Sequence, residues 1–373
     1  MSAPLSIVHT EASSGWGGQE IRVLTEAQGF IARGHRVSVF AAPGARILQE
    51  APRFGVSAVE LPIGAKQPRG VAALVGAFRT TPVDIVNAHS STDTWLVALA
   101  CRWLRMRNRP RPVLVRTRHV SVSVPNNRTT RWLYRKATTR VVTTGEALRE
   151  RLIHEIGIDP RRIDSVPTGI DGTRFVPGDR DAARRTLDLP ISRPLLGIVA
   201  TLRSWKGHRY LLDAMTHLRD PRTLLAIVGD GPQRQALEAQ VDALRLTGRV
   251  IFAGQQNDVL PWLHALDAFV LPSYAHEGVP QALMQAMFTG LPCVTTDAGA
   301  IPEIAQHGVT AHVVAKEDSQ ALARGLEQVL GNASYAEQLG RNARAFVTPR
   351  YSLEAMLARM EAIFRQALID AHR

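Results

Sequence analysis

Short apolar runs alternate with helix-like stretches from one end of this chain to the other, and that alternation most narrows what it can become. Runs at 5–9, 36–41, 84–88, 113–117 and 141–143 read as strands. A helical pattern at 20–32 stops at Gly34, and further helices fall between the later strands. A strand–helix–strand rhythm implies a parallel sheet covered on both faces. Around 176–193 the texture turns polar and rich in proline, which reads as a linker with one short helix. The rhythm then restarts with strands at 195–200, 223–228, 250–252, 268–271 and 293–295, and helices at 319–330, 335–347 and 353–371 close the chain. The expected class is α/β, with two Rossmann-like domains facing across a cleft. The first spans 1–175, a linker 176–193, the second 194–348, and a closing helix over 349–373 is able to return to the first domain. In open sheets of this kind ligands bind outside the carboxyl ends of the strands, so the cleft is the expected site.

Chemistry-bearing residues cluster at those strand ends. The stretch E-G-V-P-Q-A-L-M-Q-A-M begins at Glu277, just after the strand at 268–271 and before a helix expected over 279–287. Free N–H groups at a helix start favour an anion such as a diphosphate, and Gly278 permits close backbone approach. A carboxylate at Glu277 can accept hydrogen bonds from sugar hydroxyls. After the strand at 195–200 come Arg203 and Lys206, two cations suited to a diphosphate that departs with growing negative charge. V-G-D-G-P, with Gly229 and Gly231, and F-A-G-Q-Q, with Gly254 and Gln255, end the next two strands and fit a nucleotide crevice. In the first half, S-S-G-W-G-G-Q-E places Gly17 and Gly18 in the first strand–helix turn, while His89 and His119 each follow a strand. The role of His89 stays open at this point. The glycine turn is not a dinucleotide fingerprint, since no G-x-G-x-x-G is followed by an acid about 20 residues on.

These motifs resemble the family 4 glycosyltransferases, retaining enzymes of the two-domain GT-B fold, and the resemblance spans nearly the whole chain. G-G-Q-E resembles the family's G-G-x-E turn, V-G-D-G-P its G-x-G-P turn, and T-D-A-G-A-I-P-E its G-G-x-P-E turn with Ala300 for the second glycine. The family carries two glutamates eight positions apart. Glu277 matches the first, and Gln285 stands at the second. The resemblance implies that Glu277 and His119 contact the transferred sugar, that Arg203 and Lys206 stabilise the leaving diphosphate, and that Gln285 serves the nucleotide ribose. Gly278, Val279 and Pro280 would line the donor site with the glycine turns. An arginine usual five positions before the lysine is Thr201 here, and Arg203 is read as its replacement. Such enzymes are thought to use the donor phosphate itself as base. No D-x-D pair stands out, so neither metal nor other cofactor is expected beyond the nucleotide-sugar substrate.

Charge supplies a further expectation. Residues 1–186 carry 28 Lys+Arg against 15 Asp+Glu, while 187–373 carry 17 against 18. Between Thr94 and Gly145 there are twelve basic residues and no acid, interleaved with Trp95, Trp103 and Trp132. Such a surface suits an anionic membrane and an anionic, lipid-linked glycan or lipopolysaccharide-type acceptor. Two distant cysteines and the lack of a leader-like N-terminus suit a cytoplasmic protein, peripheral at the inner face of the membrane. No nucleic-acid-binding module is evident. A sugar-nucleotide epimerase and a catalytically weak binding homologue remain as alternatives.

Overall fold

The computed structural model describes residues 3–119 and 124–371. The chain divides into two compact units, Met1–Gly169 with Leu353–Arg373, and Ile170–Ser352.

The first unit holds seven strands: β1 (Ser6–Glu11), β2 (Arg36–Ala41), β3 (Ser57–Glu60), β4 (Ile85–Ala88), β5 (Val113–Arg118), β6 (Arg140–Thr143) and β7 (Ile163–Ser165). All pair in parallel, in the order β3-β2-β1-β4-β5-β6-β7. Parallel strands joined by crossover helices are covered on both faces, which is why β1 and β4 are buried throughout. One face packs under the helices Pro68–Thr80 and Ser91–Met106 through Val8, Leu96, Leu104 and Leu114. The other packs Ile7, Phe30 and Val115 against Met356, Met360 and Phe364 of the helix Leu353–Ala371. That last helix therefore belongs to the first unit, although 183 residues of the second unit precede it in sequence.

The second unit repeats the plan with β8 (Leu195–Val199), β9 (Leu224–Val228), β10 (Val250–Gly254), β11 (Ala268–Leu271), β12 (Cys293–Thr296) and β13 (His312–Val314). Their order is β10-β9-β8-β11-β12-β13, again parallel. In both sheets the strand order reverses beside the first strand, between β1 and β4 and between β8 and β11. There the flanking connections leave toward opposite sides and open a crevice at the carboxyl ends.

The segment expected as a linker over 176–193 departs from expectation. The second unit begins at Ile170, and that segment is part of its body. Its helix Arg180–Thr186 carries Arg184, which is 1% exposed. Arg184 Nε donates to Ala265 O at 2.8 Å, Nη1 to Ile191 O at 2.8 Å, and Nη2 to Asp267 Oδ2 at 2.7 Å. Asp267 also accepts from the backbone N–H of Leu195 at the start of β8. A polar sequence is thus pinned by a buried guanidinium with four hydrogen bonds, which composition alone does not reveal. Strands β3, β7 and β13 were not expected. They are three or four residues long, all three are sheet edges, and none has a buried apolar run. Arg184→Met should lower the unfolding free energy of the second unit by about 3 kcal/mol, because Asp267 stays half-buried with part of its ion pairing lost. Urea denaturation followed by circular dichroism reads that loss.

Candidate functional site

In the second unit the crevice beside β8 and β11 brings together the two residues that matter most. Lys206 lies in the single turn after β8 and Glu277 in the loop after β11. Lys206 Nζ donates to Glu277 Oε1 at 2.7 Å, and Ser273 Oγ donates to the same oxygen at 2.6 Å. Glu277 is only 5% exposed. Two glycines hold the loops this close. Gly207 has φ +77°, and a Cβ there would sit 2.0 Å from Pro272 O. Gly299 has φ +57°, and a Cβ there would sit 2.2 Å from Glu277 O. Ala300 N donates to that same carbonyl at 3.2 Å, so the turn after β12 backs the carboxylate. Glu303 lies in this turn, in the short helix Ile301–Glu303, rather than at the charge pair.

The remaining expected residues of this unit surround that pair without joining it. Arg203 is exposed, its guanidinium 5.8 Å from the Trp205 ring centroid, and it has no ion pair among the described residues. Gly229 and Gly231 follow β9, and Gly229 N donates to Gly254 O at 2.8 Å, tying the ends of β9 and β10. Gln255 is exposed beyond β10. Gly278 is half-buried, Val279 and Pro280 are buried, and the helix begins at Gln281 rather than 279. The residue before a proline avoids the helical region, so Val279 cannot start the helix and Pro280 caps it. Gln285 is half-buried on that helix (Gln281–Phe288), and its side chain meets no hydrogen-bond partner among the described residues. Close by, His208 is buried with neither ring nitrogen bonded, and burial, then the Lys206 charge, pushes its pKa down to about 3.

In the first unit His119 is the end of a chain of three imidazoles. His9 Nδ1 lies 2.9 Å from His89 Nε2, and His89 Nδ1 lies 2.8 Å from His119 Nε2. The residues come from β1, from the turn after β4, and from the turn after β5, so they sit at the reversal point of the first sheet. Burial is the main cause that lowers all three pKa values, His9 to about 3, with Arg22 adding for each. The chain is therefore neutral at pH 7, and each contact holds one proton. His9 Nε2 is buried without a partner, in the positive field of Arg22. A bare lone pair there is favoured over an N–H pointing at like charge. With the His9 proton on Nδ1, the donors would run from His9 Nδ1 to His89 Nε2 and from His89 Nδ1 to His119 Nε2, leaving the His119 proton on Nδ1; the opposite tautomers satisfy the same two contacts. Gly17 and Gly18 stand apart from this chain, as N-cap and first residue of the helix Gly18–Ala32.

Sequence reading missed Ser273 and His9. The signal for Ser273 was its place four residues before Glu277 at a strand end; for His9, a polar residue within a buried apolar run. It also missed the buried acids nearby. Glu11 is pushed up to about 8, by burial first and then Asp93, and Asp93 is pushed up to about 6 by burial. Among the described residues no group of three or more His, Cys, Asp or Glu is arranged to hold a metal.

With this geometry in place, the comparisons with known proteins are informative. The profile described as "Glycosyltransferase Family 4" matches residues 16–174, and the profile described as "Glycosyl transferases group 1" matches residues 179–346. The chain belongs to the family 4 glycosyltransferases and has their GT-B fold. It is 28% identical over 247 residues to the UDP-Gal:alpha-D-GlcNAc-diphosphoundecaprenol alpha-1,3-galactosyltransferase of Escherichia coli, a match spanning 62% of each chain. It is 27% identical over 278 residues to the lipopolysaccharide core biosynthesis glycosyltransferase LpsE of Rhizobium meliloti, spanning 71% of this chain and 79% of that one. Among solved structures, HepE of Anabaena in complex with UDP-glucose superposes with a TM-score of 0.84 at 21% identity, over 97% of this chain and 100% of that one.

The histidine chain predicts a pH signature with a definite sign. A histidine buried as the neutral form has a folded pKa below its unfolded value, so its contribution is fully present above about pH 6.5 and is lost as pH falls toward 3. His9→Gln should therefore flatten the acid side of the stability curve by about 1.4 kcal/mol per pH unit within that window. Urea midpoints of wild type and variant at matched pH values measure the difference, which cancels the opposite pull of Glu11 and Asp93.

Proposed function

We propose that this chain is a retaining glycosyltransferase that moves a sugar from a nucleotide-diphosphate donor to a hydroxyl of a lipid-linked glycan or lipopolysaccharide-type acceptor. The observation that carries the reading is the Lys206–Glu277 pair, held at 2.7 Å at the reversal point of the second sheet. Lys206, joined by the exposed Arg203, would meet the donor diphosphate and stabilise the charge it gains as the C1–O bond breaks. Binding of that anion would compete for the Lys206 ammonium and leave Glu277, still held by Ser273, to accept from sugar hydroxyls. Gly229, Gly231, Gly254, Gln255, Gly278, Val279 and Pro280 would line the donor site, and the unengaged amide of Gln285 would take the ribose.

The electron pair of the broken bond leaves with the diphosphate. The acceptor oxygen bonds to C1 on the same face, and its proton passes to the departing phosphate oxygen. No protein base and no metal are assigned a step. In the first unit, His119 Nδ1–H would donate to a substrate hydroxyl, and Gly17 and Gly18 would let substrate approach the helix start. Support for the acceptor class comes from the E. coli and Rhizobium relatives, whose names give a diphosphoundecaprenol-linked sugar and the lipopolysaccharide core. Lys206→Ala and Arg203→Ala should each slow transfer by about a hundredfold, since the interaction is made mainly in the transition state. Release of nucleoside diphosphate across a panel of UDP-, GDP- and ADP-sugars reads the rate. Turnover like wild type in both variants would remove the phosphate assignment.

The same reading places the protein at the cytoplasmic face of a membrane. On the helix Ser91–Met106, Leu99, Trp103 and Met106 are exposed at spacings of four and three, the last at 73%. Arg102, Arg105, Arg107 and Arg109 are exposed beside them. No described helix is long and apolar enough to cross a bilayer. Anionic vesicles should bind the protein, with each arginine near the surface adding about 1 kcal/mol. Added salt should weaken that binding. Sedimentation with neutral vesicles, and with Arg105, Arg107 and Arg109 changed to Gln, gives the two controls; indifference of the wild type to anionic vesicles at low salt contradicts the surface.

A further inference from the structure

A cavity of about 400 Å³ opens in the first unit beside β5. Lys66, Trp95, Arg116, Arg118, Thr130 and Tyr134 line it, and among the described residues of its wall none is acidic. Arg116 and Arg118 are two apart in a strand and so share one face, the face on which Leu114 enters the core beneath the helix Ser91–Met106.

Arg116 is the anomaly. It is 3% exposed, and its guanidinium lies 4.5 Å from the centroid of the Tyr134 ring. It has neither a hydrogen bond nor an ion pair with any described residue, and its Nε is buried without a partner. The two other buried arginines are engaged: Arg22 donates to Val166 O and faces Glu26, and Arg184 makes four hydrogen bonds. The carboxylate that feels the Arg116 charge is Asp93, yet both of its oxygens are taken. Oδ1 accepts from Ser90 N and Oγ, and Oδ2 accepts from Thr10 Oγ1 and His89 N. A buried guanidinium without a counter-ion is unfavourable in an empty protein and is stabilised when an anion arrives. The planar fork of an arginine suits a phosphate, which it can meet through two N–H groups at once. Lys66, exposed at the rim and over the Trp95 ring at 5.6 Å, adds a second charge.

We propose that this cavity is a phosphate site for the sugar acceptor: Arg116, with Arg118 and Lys66, binds the phosphate or diphosphate that links the acceptor sugar to its carrier. The volume accommodates that group together with a sugar ring, within the range of small-ligand sites. The inference rests on the transferase reading above and names the part of the acceptor that the first unit recognises.

The test measures binding of N-acetylglucosamine 1-phosphate, with free N-acetylglucosamine and inorganic phosphate as comparison arms, by calorimetry on the full chain. The sugar phosphate should bind, the free sugar should not, and inorganic phosphate should bind more weakly. Arg116→Met and Arg116→Gln should each weaken sugar-phosphate binding at least tenfold and reduce its salt dependence. Arg116→Met should also keep or raise the melting temperature, because it removes an uncompensated buried charge. A fall in melting temperature with unchanged sugar-phosphate affinity would make Arg116 a structural residue and overturn the proposal. Equal, Arg116-dependent affinity for inorganic phosphate, with no inhibition of transfer, would assign the site to free phosphate and overturn the acceptor role. Nucleoside diphosphate binding and its loss in Lys206→Ala report on the second unit separately. Absence of that binding, with the Arg116-dependent site intact, would count against the transferase reading instead.

Discussion

Every strand in both sheets runs parallel to its neighbours, and most of the chemistry of this chain follows from that constraint. Parallel strands deliver all their carboxyl ends to one edge, and the order reverses once in each sheet. At the reversal in the second sheet, the turn after β8 and the loop after β11 must run side by side. Lys206 and Glu277 meet at 2.7 Å because their loops can approach closely enough, and Gly207 and Gly299 are what permit it. A side chain at either glycine would drive a Cβ into a carbonyl oxygen. The charge pair is therefore a consequence of backbone packing, set before any ligand arrives. The first sheet applies the same rule with different residues, and its reversal point collects imidazoles instead of a charge pair.

Buried polarity is handled differently at each place. Arg184 spends four of its five N–H donors on three carbonyls and Asp267, which fastens the start of the second unit. Asp93 takes five donors through its two oxygens and completes a capping box at the start of its helix. Glu277 differs in that one of its partners, Lys206, has a side chain that is one-fifth exposed. His119 ends a chain of neutral imidazoles, so its ring is oriented through His89 and His9 from the turn after β4 and from β1.

Much of the fold was legible because buried parallel strands are apolar runs, and runs such as 224–228 and 268–271 have no other reading. Glu277, Lys206 and the glycine turns were legible because strand ends are marked by a change of texture. What could not be read depends on tertiary neighbours. The segment at 176–193 looks like a tether in composition, and only the pairing of Arg184 with Asp267, 83 residues away, makes it part of a domain. The imidazole chain joins residues 80 and 30 positions apart, and no local pattern announces it. The helix after Glu277 was placed two residues early because its apolar period extends back to Val279, whereas Pro280 forbids a helical residue before it.

The basic bias of the first half resolves into three physically distinct populations. Arg140, inside the acid-free stretch, is neutralised by Asp164 of β7 and Asp370 of the last helix, each at 2.9 Å. Charge that looks unbalanced along the chain is balanced there in space. Arg102, Arg105, Arg107 and Arg109 are exposed with no ion pair among the described residues, and two of them lie over Trp132 and Trp103. They remain hydrated, so leaving them unpaired is nearly free in solution, and they act by long-range attraction that salt screens. Arg116 belongs to neither set. It is as buried as the core and has no hydrogen bond or ion pair among the described residues, a condition that the proposed anion would relieve. A single net charge per half would merge these cases, although the first is paired within the fold, the second is exposed and unpaired among the described residues, and the third is buried beside the proposed anion site.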